Sequence, residues 1–150
     1  MVTRSELIDY AERAIRNPGA LSASAPSHWG PNWKRGHYKF VEFMATDRPQ
    51  WAVFVKGNSK LKFWQFSTLP AITCPGAGDC LNWCYSFKAW RYPDAFFRQL
   101  QNTILVLQQS DAVRDAFLNL PFDETVRLYV DGDIDTLDTL VFWFDLMAQR

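Results

Sequence analysis

The chain has 150 residues, the length of one ordinary domain. Apolar residues make up 48% of it and charged residues 21%, a composition that excludes a disordered chain. Its 16 basic residues balance its 16 acidic residues, so no overall field draws the protein to nucleic acid or to an anionic membrane.

The sequence carries no pattern of a secreted or membrane-spanning chain. The N-terminal segment, MVTRSELIDYAERAIR, alternates charged with apolar side chains and is therefore not a signal peptide. The longest apolar-rich stretch, residues 137–147, contains two aspartates and is too short to span a bilayer. We expect a cytoplasmic protein with no membrane partner, in a compartment where thiols stay reduced.

The first third of the chain predicts a helix, a loop and a pair of strands. Thr3 and Glu6 form a capping-box pattern before an amphipathic stretch that the next Asn-Pro-Gly ends. Residues 20–36 are rich in Ser, Pro, Gly and Trp, which is typical of an irregular loop. Two hydrophobic runs, residues 38–44 and 51–56, predict an antiparallel strand pair.

The remaining two thirds alternate strand with helix patterns. After the turn KGNSK, a short strand is predicted at residues 61–67, and the cysteine segment follows it. Helical patterns occupy residues 94–109 and the stretch from Asp111. The run TVRLYV, residues 125–130, is typical of a strand in a parallel sheet. This order is that of a parallel βαβα unit.

The last helix is predicted from about Asp135, after the turn DGDIDT. Its predicted apolar positions are Leu137, Leu140, Val141, Phe144 and Met147. The chain ends with this helix, where another strand would be expected. We therefore expect the βαβα unit to be a truncated member of a larger architecture.

The predicted fold class is α/β, with a partial parallel βα sheet that is half-barrel-like in the C-terminal two thirds. An N-terminal helix and a small antiparallel strand pair precede it, and that pair would cover the exposed sheet edge. We expect a single domain over residues 1–150. Residues 1–56 would hold the helix, the Trp-rich loop and the strand pair, and residues 57–150 would hold the βαβα unit with the cysteines.

All three cysteines lie in one short segment, TCPGAGDCLNWCY, with the spacing C-x5-C-x3-C. In a reducing compartment, clustered thiols and an odd count favour metal binding over a structural disulfide. Zinc sites and ordinary iron–sulfur clusters use four ligands. Cys74, Cys80 and Cys84 therefore need a fourth ligand, from His28 or His37, or they leave one coordination position open. Inert buried thiols and a thiol–disulfide switch are the alternatives.

The sequence around this segment resembles the gene product 88 family of bacteriophages and mobile elements. The shared features, over about residues 57–143, are an NSKL lead-in, an F-S-x-LP strand end, a TCPGA loop, a C-x3-CY close, an RYP and an RLYV-x-GD strand end. This resemblance implies a protein that works in the cytoplasm of a bacterial host cell.

The family layout is in turn similar to the start of a radical S-adenosylmethionine enzyme. That likeness implies that Cys74, Cys80 and Cys84 hold a [4Fe-4S] cluster, whose fourth iron is left for S-adenosylmethionine. It also implies three contacts to that small-molecule cosubstrate: Tyr85, Gly132 and Asp133.

Three aspartates follow the last predicted strand, at the edge where open α/β sheets bind ligands. Asp131, Asp133 and Asp135 can contact a cation, an amino group or a metal. The structural alternative is local, with a turn at Gly132 and a helix cap from Asp135.

A basic–aromatic cluster follows the thiols. Its members are Lys88, Arg91 and Arg98, interleaved with Trp83, Trp90 and Tyr92. Such a mixture can bind single-stranded nucleic acid by stacking and phosphate pairing, and solvated charge beside core aromatics is the alternative. The sequence shows neither a Ser/His/Asp nucleophile pattern nor the Gly-Lys-Ser/Thr of a phosphate-binding loop.

The sequence thus predicts an iron–sulfur protein of phage or mobile-element type, with radical S-adenosylmethionine-like chemistry as the enzymatic hypothesis. The alternative is a non-enzymatic, zinc-stabilised module that binds nucleic acid or a host protein. A third possibility is a remnant that keeps the fold without the chemistry. Whether the protein is an enzyme stays open.

Overall fold

The computed structural model describes residues 1–57 and 60–150 and shows a mainly helical protein. Helical segments account for about 53% of the chain, and they surround a sheet of three very short strands. The predicted KGNSK turn and the NSKL motif fall in part on Asn58 and Ser59, which lie outside the described residues.

The described residues form five α-helices and three two-residue strands. They are α1 (Arg4–Arg16), α2 (Pro31–Thr46), β1 (Val55–Lys56), β2 (Trp64–Gln65), α3 (Pro93–Leu107), α4 (Asp111–Leu118), β3 (Val126–Arg127) and α5 (Leu137–Ala148). Short 3-10 helices lie at Pro18–Ala20, Gly78–Asn82 and Tyr85–Arg91. The structure has no helix, within the residues it describes, that is long and apolar enough to cross a membrane.

The sheet has the order β1-β2-β3, with β1 antiparallel and β3 parallel to β2. Trp64 of β2 pairs with Val126 of β3, and α3 and α4 form the crossover that a parallel pair requires. Single hydrogen bonds extend the parallel pair, as from the Thr68 N–H to the Asp131 carbonyl at 3.0 Å. The segments after β2 and β3 therefore leave the same edge of the sheet.

The predicted half-barrel is wrong. Only β2 and β3 pair in parallel among the described residues, and the sheet stays open and small. The run TVRLYV does not extend as one strand because Tyr129 adopts a left-handed backbone conformation, with φ at 56°. The predicted order of strand, cysteine segment, helices, strand and helix is present, but its strands are too short for a barrel.

The predicted N-terminal strand pair is also wrong. Residues 38–44, which were expected to form a strand, lie inside α2, and the predicted loop accordingly ends at Gly30. Pro31 begins this helix at a position where proline is favourable. Phe40 and Phe43 lie on one face of α2 and are fully buried, so packing overrides the aromatic content that favoured a strand.

Aromatic rings in contact with one another, most of them edge-on or tilted, make up a large part of the core. Between α1, α2 and α3, the Phe97 ring lies 5.9 Å from the Tyr10 ring and 5.9 Å from the Phe40 ring. Between the sheet, α4 and α5, the Trp143 ring lies 5.0 Å from the Phe66 ring. The two clusters flank α3.

Helix α5 buries the opposite face from the predicted one. Its buried residues are Thr139, Phe142, Trp143 and Leu146. Four of the five predicted apolar positions are instead exposed: Leu137, Val141, Phe144 and Met147. The whole helix is apolar enough for either face to pack, and the position of Trp143 against the sheet selects one.

Helix α3 carries a row of buried polar side chains. Gln101 is fully buried, and its Oε1 accepts hydrogen bonds from the N–H groups of Gln50 and Trp51, at 2.6 and 3.0 Å. Its Nε2 donates to the Trp51 carbonyl at 2.9 Å. One amide side chain thus satisfies three backbone groups of the segment before β1.

The next two residues of α3 form hydrogen bonds with backbone groups both before β1 and after β2. Asn102 Nδ2 donates to the carbonyls of Val53 and Ser67, at 3.0 and 3.1 Å. The Leu69 N–H donates to the Thr103 hydroxyl at 3.0 Å. Buried backbone groups that the short strands leave unpaired are therefore satisfied from α3.

His37 is a structural histidine. The Tyr10 hydroxyl lies 2.7 Å from its Nδ1, and its Nε2 lies 3.1 Å from the Ala23 carbonyl. Since a carbonyl only accepts, Nε2 carries the proton and Nδ1 accepts from Tyr10. Both ring nitrogens are used, so His37 does not supply the fourth metal ligand. Burial lowers the pKa of His37 from its ordinary value of 6.5.

Replacing Asn102 by Leu should strongly destabilise the fold. The change keeps a side chain of similar size but leaves the Val53 and Ser67 carbonyls buried without a donor. We expect the free energy of unfolding to fall by about 2–4 kcal/mol, measured by urea denaturation. The control Gln108→Leu, at an exposed position at the end of the same helix, should cost less than about 1 kcal/mol. Equal losses in the two variants would contradict this role of Asn102.

The neutral state of His37 predicts a pH-dependent stability. Its pKa is lower in the folded than in the unfolded state, so the unfolded chain binds a proton first as the pH falls below 6.5. The free energy of unfolding should therefore decrease between about pH 7.5 and pH 5.5, before carboxylates titrate. His37→Gln should reduce this slope, whereas His28→Gln, at the exposed histidine, should keep a slope of the same sign. A slope that His37→Gln leaves unchanged would refute the assignment.

Candidate functional site

The segments that follow β2 and β3 are tied together by one hydroxyl group. Thr73, just before the first cysteine, donates its hydroxyl proton to the Leu69 carbonyl at 2.8 Å. The same oxygen accepts from the Thr68 hydroxyl at 2.9 Å and from the Asp133 N–H at 3.2 Å. Because Thr73 is fully buried, this contact fixes the start of the cysteine segment against the turn DGDIDT, residues 131–136, which we call the acidic turn.

The acidic turn approaches these threonines at Gly132. This residue has φ at 78°, which side chains rarely allow. A Cβ atom there would lie 2.1 Å from Thr68 Oγ1 and 2.7 Å from Thr73 Oγ1. Glycine is therefore required at this position for two independent reasons, backbone conformation and space.

The three thiols are free and half-buried. Burial raises the pKa of the Cys74 thiol, while a hydrogen bond with the Ala71 backbone opposes this effect. The charges of Asp133, Cys84 and Cys80 raise the Cys74 pKa further. Cys80, Cys84 and Asp133 thus each lie within electrostatic range of Cys74, which follows the end of β2.

The three thiols and Asp133 do not form a complete metal site in this conformation. Across residues 1–57 and 60–150, no three His, Cys, Asp or Glu side chains are placed so that they could hold one metal ion. Cys80 lies within the 3-10 helix Gly78–Asn82, and Cys84 precedes the next one. The donor chemistry, three thiols beside a carboxylate, suits a soft metal, but the loop would have to close to bring the sulfur atoms together.

The predicted cosubstrate residues share this edge. The hydroxyl of the exposed Tyr85 lies 3.5 Å from the Val130 carbonyl, two residues before Gly132. Asp133 is exposed, and its carboxylate accepts a hydrogen bond from the Ile134 N–H at 2.7 Å. The structure therefore places Tyr85, Gly132 and Asp133 near one another, and their role toward a cosubstrate stays a prediction.

A polar relay behind the site was missed from the sequence. Trp90 Nε1 donates to Gln99 Oε1 at 3.0 Å, and Gln99 Nε2 donates to Asp131 Oδ2 at 3.2 Å. The Asp131 N–H in turn donates to the Ser67 hydroxyl at 3.2 Å. A glutamine in the middle of the apolar stripe of α3 was the available signal, since a polar residue there must find a buried partner.

Two of the other candidates take local roles. Asp135 Oδ1 accepts from the Thr139 hydroxyl at 3.0 Å, while Thr136 is the residue that caps α5. The Nε2 of the exposed His28 contacts the Glu6 carboxylate. Neither the capping role expected of Asp135 nor a metal-ligand role for His28 is what the geometry shows.

The predicted basic–aromatic cluster separates into two groups. Lys88 and Arg91 are exposed and line the cleft described below, whereas half-buried Arg98 lies elsewhere. Burial lowers the pKa of Arg98, and the nearby charges of Asp131 and Asp94 oppose this. Arg98 therefore lies near Asp131 and Asp94, outside the cleft.

Comparisons with known proteins give one finding. The family model described as Gene product 88 matches residues 44–150, from the end of α2 to the C-terminus. Neither the comparison with curated proteins nor that with solved structures gives a match. The matched segment contains the sheet, the cysteines and the acidic turn.

Replacing Gly132 by Ala should disrupt the junction between the cysteine segment and the acidic turn. The added Cβ would clash with the Thr68 and Thr73 hydroxyls in a backbone conformation that alanine disfavours. We expect a loss of about 2–4 kcal/mol in the free energy of unfolding, from tryptophan fluorescence in urea.

The matched control for this change is Gly76→Ala. An added Cβ at Gly76 has no atom within 4 Å, so the cost should stay within about 0.5 kcal/mol. If the two alanine variants unfold at the same urea concentration, the close packing at Gly132 does not matter.

Proposed function

Since the chain belongs to the Gene product 88 family, we propose that the matched segment, residues 44–150, binds a metal centre through Cys74, Cys80 and Cys84. One observation carries the proposal. All three thiols of the chain lie in one half-buried segment of eleven residues, and the charges of Cys80, Cys84 and Asp133 all act on the Cys74 thiol, whose neighbour Thr73 hydrogen-bonds the Asp133 N–H at 3.2 Å.

The alternatives for the thiols are less consistent with their positions. Inert structural cysteines are usually packed in the core, and the fully buried hydrophobic residues here include none of the three. The thiols are free, so they make no disulfide that would explain their clustering. Free thiols that are neither buried nor bridged suit a soft metal, in a cytoplasm that keeps them reduced.

The segment has room to close around a metal. An added Cβ at Gly76 or Gly78 would have no atom within 4 Å, so the backbone between Cys74 and Cys80 is not held by tight packing. The start of the cysteine segment is anchored, because the Thr73 hydroxyl, next to Cys74, accepts a hydrogen bond from the Asp133 N–H at 3.2 Å. We infer that metal binding moves Cys80 and Cys84 toward the anchored Cys74, which couples binding to local ordering.

An iron–sulfur cluster is the centre that we propose first. Three thiolates leave one coordination position of a [4Fe-4S] cluster free for another ligand, and the cluster would supply one-electron chemistry. In this form Tyr85, Gly132 and Asp133 would contact a small-molecule cosubstrate such as S-adenosylmethionine. This combination of a cluster and a cosubstrate is supported by the position of Tyr85, Gly132 and Asp133 at the same sheet edge as Cys74.

Zinc is the second candidate and corresponds to a structural, non-enzymatic role. A zinc site normally takes four ligands. His37 already uses both ring nitrogens and His28 pairs with Glu6, so Asp133 is the side chain best placed to complete such a site.

Anaerobic reconstitution with iron and sulfide tests the proposal. We expect a brown protein with about four irons per chain, because that is the content of a [4Fe-4S] cluster. Serine substitutions of Cys74, Cys80 and Cys84, made one at a time, should each lower the iron content severalfold. The control Asp79→Asn, at a carboxylate within the same segment, should keep it.

The other outcomes of the same experiment are decisive. A colourless protein with one zinc per chain, lost in the serine variants, would overturn the iron–sulfur assignment and support the zinc role. A protein that takes up neither metal, with a thermal midpoint unchanged by either, would overturn both.

A further inference from the structure

A large cleft adjoins the last cysteine. Its volume is about 930 Å³, in the range of ligand-binding sites, and it lies between the start of α1, the Trp-rich loop and the 3-10 helix Tyr85–Arg91. Cys84 lines it, together with Arg4 of α1, Trp33 at the start of α2, and the basic and aromatic side chains of residues 83–91. In the part of the chain that the structure describes, no Asp or Glu lines this cleft.

The cleft concentrates positive charge in a protein whose net charge is zero. Lys88 and Arg91 are exposed at its wall, and neither forms an ion pair or a side-chain hydrogen bond with any described residue. Arg4 contributes from α1, with its guanidinium 4.5 Å from the centre of the Phe87 ring. The unpaired Lys88 and Arg91 attract an anionic ligand, and Arg4, which also donates a hydrogen bond to the Leu81 carbonyl at 3.4 Å, adds its charge to theirs.

The cleft also exposes a large aromatic surface. Trp83 is 76% exposed, although an indole ring gains substantially from burial. The opposite wall is rigid, because half-buried Trp33 packs against Phe96 with ring centres 5.8 Å apart. On the near side, Phe87 packs edge-on against the buried Trp90 at 4.9 Å. The exposed Trp83 indole lies between these packed walls, near Lys88 and Arg91. It can therefore stack against the flat ring of a ligand.

We propose that this cleft binds single-stranded nucleic acid, with Trp83 stacking on a base and Lys88, Arg91 and Arg4 pairing with phosphates. Bases can be stacked on a tryptophan only where they are not already stacked in a duplex, which favours a single strand. The cations explain affinity without sequence readout. This role goes beyond the metal centre, and none of the groups named for it is a thiol.

The test is fluorescence anisotropy with a labelled 12-nucleotide pyrimidine DNA strand, titrated with the full chain at low and moderate salt. We expect saturable binding that weakens as salt rises, and weaker binding of a duplex of the same length. Trp83→Ala should weaken binding about 5- to 100-fold. The matched control is Phe122→Ala, which removes an equally exposed ring (81%) outside the cleft and should change little.

The charge variants test the phosphate contacts. Lys88→Gln with Arg91→Gln should lower the affinity at least tenfold and reduce the slope of log affinity against log salt by about 1.4, since each phosphate contact on a single strand contributes about 0.7. The control removes two exposed charges at the end of α1, Arg13→Gln with Arg16→Gln, and should leave the slope nearly unchanged.

Three results would overturn the proposal. They are no binding of the single strand at low salt, a Trp83→Ala variant that binds as tightly as the unchanged protein, and a poly-glutamate peptide that binds as tightly as the DNA. The last would show a general anion surface or an acidic protein partner. All variants keep the three cysteines, so the metal content of the same samples distinguishes failure here from failure of the metal proposal.

Discussion

Hydrogen bonds from buried side chains of α3 to neighbouring backbone hold the centre of this protein together. The strands are only two residues long, and although single backbone hydrogen bonds extend the parallel pair, the backbone groups of Trp51, Val53, Ser67 and Leu69 bond to side chains instead. Gln101 and Asn102 satisfy the chain before β1, and Asn102 and Thr103 satisfy the chain after β2. Each such group would otherwise carry a desolvation cost of about 1–3 kcal/mol, comparable to a large part of the stability of a domain of this size.

The candidate site follows from that arrangement. Because α3 fixes the segment after β2, the chain enters the cysteine segment at a defined point, and Thr73 joins it to the acidic turn after β3. Gln99, also on α3, holds Asp131 from behind. The start of the segment is therefore held in place at Cys74, whereas Cys80 lies in a short 3-10 helix and Cys84, just before the next one, lines the cleft. The metal proposal concerns the three thiols and Asp133, and the nucleic-acid proposal concerns the aromatic and basic side chains of the neighbouring cleft, which Cys84 also lines.

Much of the site could be predicted because its signals are local or follow from strand order. The cysteine spacing, Gly132 and the aspartates stand next to strand ends, and the parallel pairing of β2 with β3 brings those ends together. The polar relay through Gln99 and the separation of Arg98 from Lys88 could not be predicted, because they depend on which side of α3 faces the sheet edge. Nor does spacing tell whether three thiols converge, since that depends on the turns between them.

By itself the sequence determined the elements whose ends are set by neighbouring residues. The capping box is confirmed, with Glu6 N–H donating to Thr3 Oγ1 at 3.2 Å, and so are the helices that follow Pro93 and Ser110. Only the tertiary structure decided whether residues 38–44 form a helix or a strand, and which face of α5 is buried. The first segment has enough aromatic residues for either secondary structure, and α5 has apolar residues on both faces. Phe40 against Phe97, and Trp143 against Phe66, select the observed arrangements through contacts between residues far apart in the chain. A half-barrel does not form either, because the left-handed backbone of Tyr129 stops the extension of β3 and the Ser67 carbonyl after β2 accepts from Asn102 of α3.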